Sequence, residues 1–181
     1  ERMNARAAEI GMTDTCFVTA SGLDEGDHHS TALDMARLAA EALENPAFLE
    51  IASQTSYPVS FAEPEKTVKL ANHNKLLSRI DGCIGVKTGY TDKAGRCLVS
   101  AVERDGVRLI CVTLDAPDDW NDHEALYEAA FASIQKVQLD DAAWPTTIPV
   151  VGAIQQTVEL SWETPPQVSI FDQEKITYKI M

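Results

Sequence analysis

Residues 83–115 read CIGVKTGYTDKAGRCLVSAVERDGVRLICVTLD, and the reading of this stretch decides the fold. It contains three runs rich in β-branched and aromatic residues, CIGVKTGYT, RCLVSAVE and VRLICVTLD, joined by short polar connections. Such residues suit a pleated, half-buried strand. Arg104-Asp105-Gly106 between the last two is a hairpin signal, because Asp and Gly accept the positive φ that a two-residue turn demands. The pattern predicts an antiparallel meander. With a tight turn at Asp105-Gly106, Cys97 and Cys111 project from opposite faces, which disfavours a bridge between them.

Working outward, WNDHEALYEAAFASIQK (120–136) has the spacing of an amphipathic helix, capped at Asn121 or Asp122, with Leu126, Ala130 and Ile134 recurring and Tyr127 and Phe131 beside them. It is expected to pack on one face of the sheet. Upstream, residues to about 55 read as mostly helical. STALDMARLAAEALENP (30–46) starts at Ser30 or Thr31, carries Asp34 in its first turn and ends before Pro46; Leu33, Ala36, Leu38, Ala40 and Leu43 form its expected apolar side. The first residues also read as helix, with Met3, Ala7 and Ile10 on one stripe. Between these, TCFVTASGLDEGDHH is loop-like and ends in two histidines. Beyond Val137 the pattern changes to alternation, seen at Val158, Leu160 and Trp162, after a linker at LDDAAWP (139–145).

The chain has 181 residues, 45% of them hydrophobic, enough for one core and a smaller second unit. Its formal charge of -13 opposes a polyanion, so nucleic acid is not an expected partner. No run approaches the ~20 apolar residues that span a bilayer. The chain opens on Glu1 in a helix-like pattern, and the sequence is read as lacking its true N-terminus. The four cysteines, at 16, 83, 97 and 111, have neither zinc spacing nor disulfide density and are read as structural thiols.

Lys87-Thr88-Gly89 carries the chemistry. On a sheet edge it offers an ammonium, a hydroxyl donor and a bare Cα where a substrate backbone can approach, which together suit a peptide ending in a carboxylate. Taken alone, the same triplet also reads as a solvated strand residue followed by a glycine bulge.

Together, MNARAAEIGMTDTCFVTASGLD (3–24), HHSTALDMARLA (28–39), NHNKLLSRIDGCIGVKTGYTDKAGRCLVSAVERDGVRLICVTLDAPD (72–118) and WNDHEAL (120–126) resemble, in the same order, the second half of the D-alanyl-D-alanine carboxypeptidases. These are low-molecular-mass penicillin-binding proteins of serine peptidase family S11. The resemblance implies an α/β (α+β) fold: part of the transpeptidase-like fold shared with β-lactamases, an antiparallel sheet with packed helices. Residues 1–137 would be the C-terminal half of the catalytic domain, and 138–181 the start of a β-rich C-terminal domain. It further implies that Lys87 and Thr88 bind the terminal carboxylate of a stem peptide ending in D-Ala-D-Ala, or of a β-lactam. The N–H of Tyr90 would serve the oxyanion hole, Gly89 would let the substrate backbone come close, and Thr91, two residues further along the same strand face, would help hold the carboxylate. Either His28 or His29 matches the family pattern. With Asp34 and His73, they are assigned to the cleft wall, beside the polar run Asn72 to Asn74.

The resemblance implies no cofactor and no metal, and places the activity on the cell-wall side, with any membrane anchor beyond Met181. Two of the family's motifs are not found. The SxxK that supplies serine nucleophile and lysine base, and the SxN that orients them, are expected upstream of Glu1. The missing N-terminal half is therefore an implied partner, and the 181-residue chain alone is expected to be inactive. Ser133-Ile134-Gln135-Lys136 satisfies SxxK literally, but it follows the lysine-threonine-glycine run and is expected at a helix C-terminus, where negative partial charge opposes a nucleophile. Where some relatives place an arginine early in the last catalytic-domain helix, this chain has Trp120, Asn121 and Asp122, leaving Arg96 or Arg108 to substitute. The alternative reading is a non-catalytic peptidoglycan- or penicillin-binding module.

Overall fold

The structure, a computed structural model, describes residues 1–138, 147–149, 157–159 and 167–171. It divides into two compact units, Glu1–Glu128 and the residues from Ala129 onward. Helix α1 (Arg2–Glu9) buries Ala7, whereas Met3 of the expected stripe is exposed. What ties α1 down is polar: the Asn4 side chain donates to Phe17 O at 2.9 Å and accepts from Phe17 N at 2.7 Å, as a strand partner would.

Helix α2 (Ala32–Leu43) is capped by Thr31, whose hydroxyl accepts from Asp34 N at 3.2 Å. Its buried residues are Asp34, Ala39 and Leu43, while Leu33 is 61% exposed. The expected apolar side was thus misplaced around the axis. Its polar residues Asp34, Arg37 and Glu41 share one stripe, which hydrophobic spacing reads as the solvent side, but the face is fixed by the buried Asp34. Its carboxylate accepts from Asp14 N at 2.9 Å, Thr15 Oγ1 at 2.7 Å and Arg37 Nη1 at 2.8 Å. Burial pushes the carboxyl pKa upward, but these donors outweigh it and hold the group below its ordinary range. Helix α3 (Pro46–Ala52) starts afresh at Pro46, whose missing N–H costs nothing in a first turn, with Asn45 capping.

Strands β1 (Ser56–Ala62) and β2 (Glu65–Ala71) then form a hairpin that the sequence reading did not resolve. The one-turn helix α4 (Leu76–Arg79) follows, with Asn74 Oδ1 accepting from Leu76 N at 3.1 Å. The expected meander comes next: β3 (Cys83–Thr91), β4 (Gly95–Arg104) and β5 (Val107–Thr113), in the order β3-β4-β5 and antiparallel throughout. Asp105 and Gly106 form the two-residue turn with φ of 51° and 79°. Central strand β4 is the core, with Leu98, Ala101 and Val102 fully buried. Ala52 of α3 lies under Gly85, where an added Cβ would sit 3.4 Å from the Ala52 Cβ.

Helix α5 (Asp119–Ala132) begins two or three positions ahead of the expected cap at Asn121 or Asp122. It buries Asp119, His123 and Tyr127, while Leu126 of the expected stripe is 52% exposed. The buried stripe keeps helical spacing but is polar, and it meets hydroxyls of the sheet. The Ser100 hydroxyl lies 2.7 Å from His123 Nδ1 and 2.8 Å from Tyr127 Oη, and Thr113 Oγ1 is 2.9 Å from His123 Nε2. Because Ser100 pairs with Val86, one residue along from Gly85, α5 and α3 cover opposite faces of the sheet.

In the second unit, β6 (Ile134–Gln138) follows directly after α5, and β7 (Thr147–Pro149) pairs with β8 (Thr157–Glu159). Strand β9 (Gln167–Phe171) pairs with β6. Ser133 and Lys136 therefore do not share a helix. Ser133 stands in a turn, its hydroxyl donating to Ala130 O at 2.8 Å, and Lys136 stands in a strand opposite Ser169. Leu160, Trp162 and the expected linker at 139–145 lie outside the described residues.

Candidate active site

Among the described residues β3 is an edge strand: one side pairs with β4 and the other is open. A cleft of about 870 Å³ runs along it, lined by all five predicted strand residues, Lys87, Thr88, Gly89, Tyr90 and Thr91. The opposite rim comes from Ser21, Gly22 and Leu23 on one side and from His73 and Lys75 ahead of α4 on another. Arg96, Asp119 and Trp120 close the end nearest α5.

Gly89 is not a bulge. Thr88, Gly89 and Tyr90 pair in unbroken register with Leu98, Cys97 and Arg96, and the irregularity of this ladder falls between Cys83 and Gly85. A Cβ at Gly89 would meet Cys97 atoms at 3.9 Å, an ordinary contact. Neither backbone strain nor packing requires glycine there, so its bareness is available to whatever approaches the open edge. The Lys87 ammonium donates to the Thr88 carbonyl, and among the described residues no carboxylate pairs with it. Lys75 and Arg96 add positive charge to the same cleft, giving a cationic hollow on an acidic chain.

Arg96 is the cleft arginine. It faces Tyr90 across the ladder, its Nη2 donates to Asp119 Oδ1 at 2.6 Å, and its guanidinium carbon lies 5.4 Å from the Trp120 ring centroid. Its Nε is buried with no acceptor. Arg108 is turned away, to Glu103 at 2.8 Å and Glu44 at 3.4 Å. Thr91 is engaged otherwise than expected: its hydroxyl donates to Asp24 Oδ2 at 3.1 Å and accepts from Ala94 N at 2.9 Å, so it anchors the strand end.

The assigned wall residues separate. His73 lines the cleft. His28 and His29 line a second hollow that shares Gly89, Tyr90 and Thr91 with the first. Asp34 lines neither; it is buried beneath the loop that follows α1. Asn72 lines the cleft beside His73 while its side chain bonds to Gln54 O and Asn74 N, and Asn74 serves the backbone at Leu76.

His123 went unnoticed in the sequence, although its four-residue spacing from Asp119 and Tyr127 was the available signal. Burial lowers its pKa to about 4, against the opposing pull of Asp119 and Asp122, so the ring is neutral between two hydroxyls. Burial likewise raises the Tyr127 phenol and pushes the Cys111 thiol up to about 11, the latter helped by Asp122. Tyr127 Oη accepts from Cys111 N at 3.1 Å. These uncharged contacts fix α5 on the sheet and hold Asp119 and Trp120 against Arg96.

The geometry is thus an open strand carrying lysine, threonine and glycine along a cleft with several cationic side chains, on a sheet covered by helices on both faces. The family described as D-alanyl-D-alanine carboxypeptidase (peptidase S11) matches residues 1–118, and the chain belongs to it. The D-alanyl-D-alanine carboxypeptidase DacB2 of Mycobacterium tuberculosis is 35% identical over 139 residues, 72% of this chain and 47% of the relative. DacF of Bacillus subtilis is 35% identical over 117 residues, 64% of this chain and 30% of the relative. Among solved structures, the Streptomyces K15 DD-transpeptidase superposes with a TM-score of 0.68 at 30% identity, covering 72% of this chain and 53% of its own. Penicillin-binding protein D2 of Listeria monocytogenes, in its cefotaxime-bound form, gives 0.63 at 37% identity over 70% of this chain and 52% of its own. The chain thus spans less than half the length of these two curated relatives.

Proposed function

We propose that this chain supplies the substrate-binding strand of a serine-type D-Ala-D-Ala carboxypeptidase, acting on peptidoglycan stem peptides on the cell-wall side. The observation that carries this reading is the unbroken, bare stretch at Thr88-Gly89-Tyr90 on an open sheet edge, beside a Lys87 ammonium that no carboxylate of the described residues neutralises. In the reaction, a serine hydroxyl attacks the carbonyl of the penultimate D-alanine. The peptide bond breaks, free D-alanine leaves with the serine's proton, and water then hydrolyses the ester. The serine, its lysine base and the SxN group come from parts of the protein outside this chain. This chain would bind the carboxylate with Lys87 and Thr88, and the Tyr90 N–H would stabilise the oxyanion, a contribution worth ~10²–10³ in turnover for one such donor.

Arg96 completes the carboxylate clamp from β4 in place of an arginine on α5. Asp119 and Trp120 hold its guanidinium within the cleft. A β-lactam, which also carries a carboxylate beside an acylating carbonyl, occupies the same edge, in keeping with the Listeria protein described with cefotaxime bound.

Labelling of the complete protein with a fluorescent penicillin tests this. Arg96→Ala is expected to lower labelling efficiency by roughly tenfold or more, since hydrogen bonds to charged groups are worth ~1.5–3 kcal/mol. Equal labelling of variant and parent would remove Arg96 from the clamp. A complete protein that binds penicillin reversibly and forms no covalent adduct would favour the binding-module reading.

A further inference from the structure

Residues 16–29 form a loop closed at its base by a backbone pair. Cys16 N–H donates to His29 O at 2.9 Å, and His29 N–H donates to Cys16 O at 3.1 Å. Inside the loop, His28 Nδ1 accepts from Val18 N at 3.1 Å and from Thr19 N at 3.4 Å, while its ring meets Phe17 edge-on at 5.9 Å. Two N–H donors converge on one ring nitrogen, so that nitrogen must offer its lone pair, and the proton of the neutral ring sits on Nε2. The far part of the same loop reaches the substrate strand. Thr19 Oγ1 donates to Leu23 O at 2.6 Å, Ser21 to Leu23 line the cleft, and Asp24 accepts from Thr91 at 3.1 Å.

We infer that His28 is a positioning residue, whose neutral Nδ1 holds the loop so that Ser21 to Leu23 wall the cleft and Asp24 anchors the end of β3. The inference rests on the proposed reading of that cleft. Protonation converts Nδ1 into a donor facing two donors, which breaks both bonds and releases the wall. The other titratable groups around the His28 hollow are Asp24 and His29 on the loop, Tyr90 of β3, Cys97 of β4 and Asp115 after β5; Asp27 lies beside His29, and α2 presents only Met35.

Asparagine at this position places a carbonyl oxygen near the site of Nδ1 and does not titrate, so it separates the acceptor from the charge. The complete protein, carrying ¹⁵N-labelled histidine, valine and threonine, is to be compared as parent, His28→Asn and His28→Ala between pH 8 and pH 5. The parent is expected to show the Nε2–H tautomer of His28 at pH 8. Where acid protonates the ring, its Val18 and Thr19 amide signals should move towards unbonded positions, and penicillin labelling should fall about three- to tenfold relative to His28→Asn, the scale of one or two lost hydrogen bonds. His28→Asn should hold its loop signals constant, and His28→Ala should show the released loop at every pH. An Nδ1–H tautomer at pH 8, a His28→Asn loop that titrates like the parent, or unaltered Val18 and Thr19 signals in His28→Ala would overturn the inference. A parent whose loop titrates but which penicillin never labels overturns the reading of the cleft instead.

Discussion

Gly89 separates the structural from the functional account of its strand. Its ladder is regular and an added Cβ meets only ordinary contacts, so Gly89→Ala should fold with a stability change within about 1 kcal/mol, the span of strand propensities. If substrate backbone lies along this edge, the same methyl should obstruct it. Thermal unfolding is expected to be near parental while penicillin labelling drops; the reverse pattern would make Gly89 a packing residue. The place of Lys87, Thr88 and Gly89 on a cleft-lining strand was legible in the sequence because the strand pattern and the flanking segments set it. Asp34 was misread because a carboxylate early in a helix looks the same whether it faces a cleft or accepts from a buried loop. Only Asp14 and Thr15, twenty and nineteen residues away, distinguish the two.

At the scale of elements, the meander was legible because strand alternation and a two-residue Asp-Gly turn are local signals, whereas the faces of α2 and α5 were not. Each helix is placed by polar groups that find partners across the fold, and hydrophobic spacing does not see these. For α5 this has a measurable consequence. Tyr127 Oη links the buried Ser100 hydroxyl and the half-buried Cys111 N–H, so Tyr127→Phe removes both partners' bonds and should cost about 1–3 kcal/mol by denaturant unfolding. His123 has a folded pKa of about 4, below its ordinary value, so the unfolded state binds more protons between about pH 6.5 and pH 4. Its contribution is fully present above that window and is lost as pH falls through it, on the order of 3 kcal/mol in total. Stability measured across this range should slope accordingly in the parent. A slope unchanged on replacing His123 would assign the effect to other groups.

For the whole molecule, the cleft has a lysine-bearing strand and an arginine held beside it, and on the proposed reading the chemistry it presents is recognition. The Ser133 and Lys136 pair cannot supply the missing nucleophile, since a turn and a strand hold them and the Ser133 hydroxyl is spent on Ala130 O. The 181-residue chain alone is therefore expected to show no covalent penicillin adduct by intact mass, and an adduct at Ser133 would contradict this. Recognition itself is tested most directly by the rate of fluorescent-penicillin acylation of the complete protein with Lys87 replaced by alanine. The account predicts a loss of at least about tenfold, the value of one hydrogen bond to a charged group, with the fold unchanged. Acylation at the parental rate would contradict it.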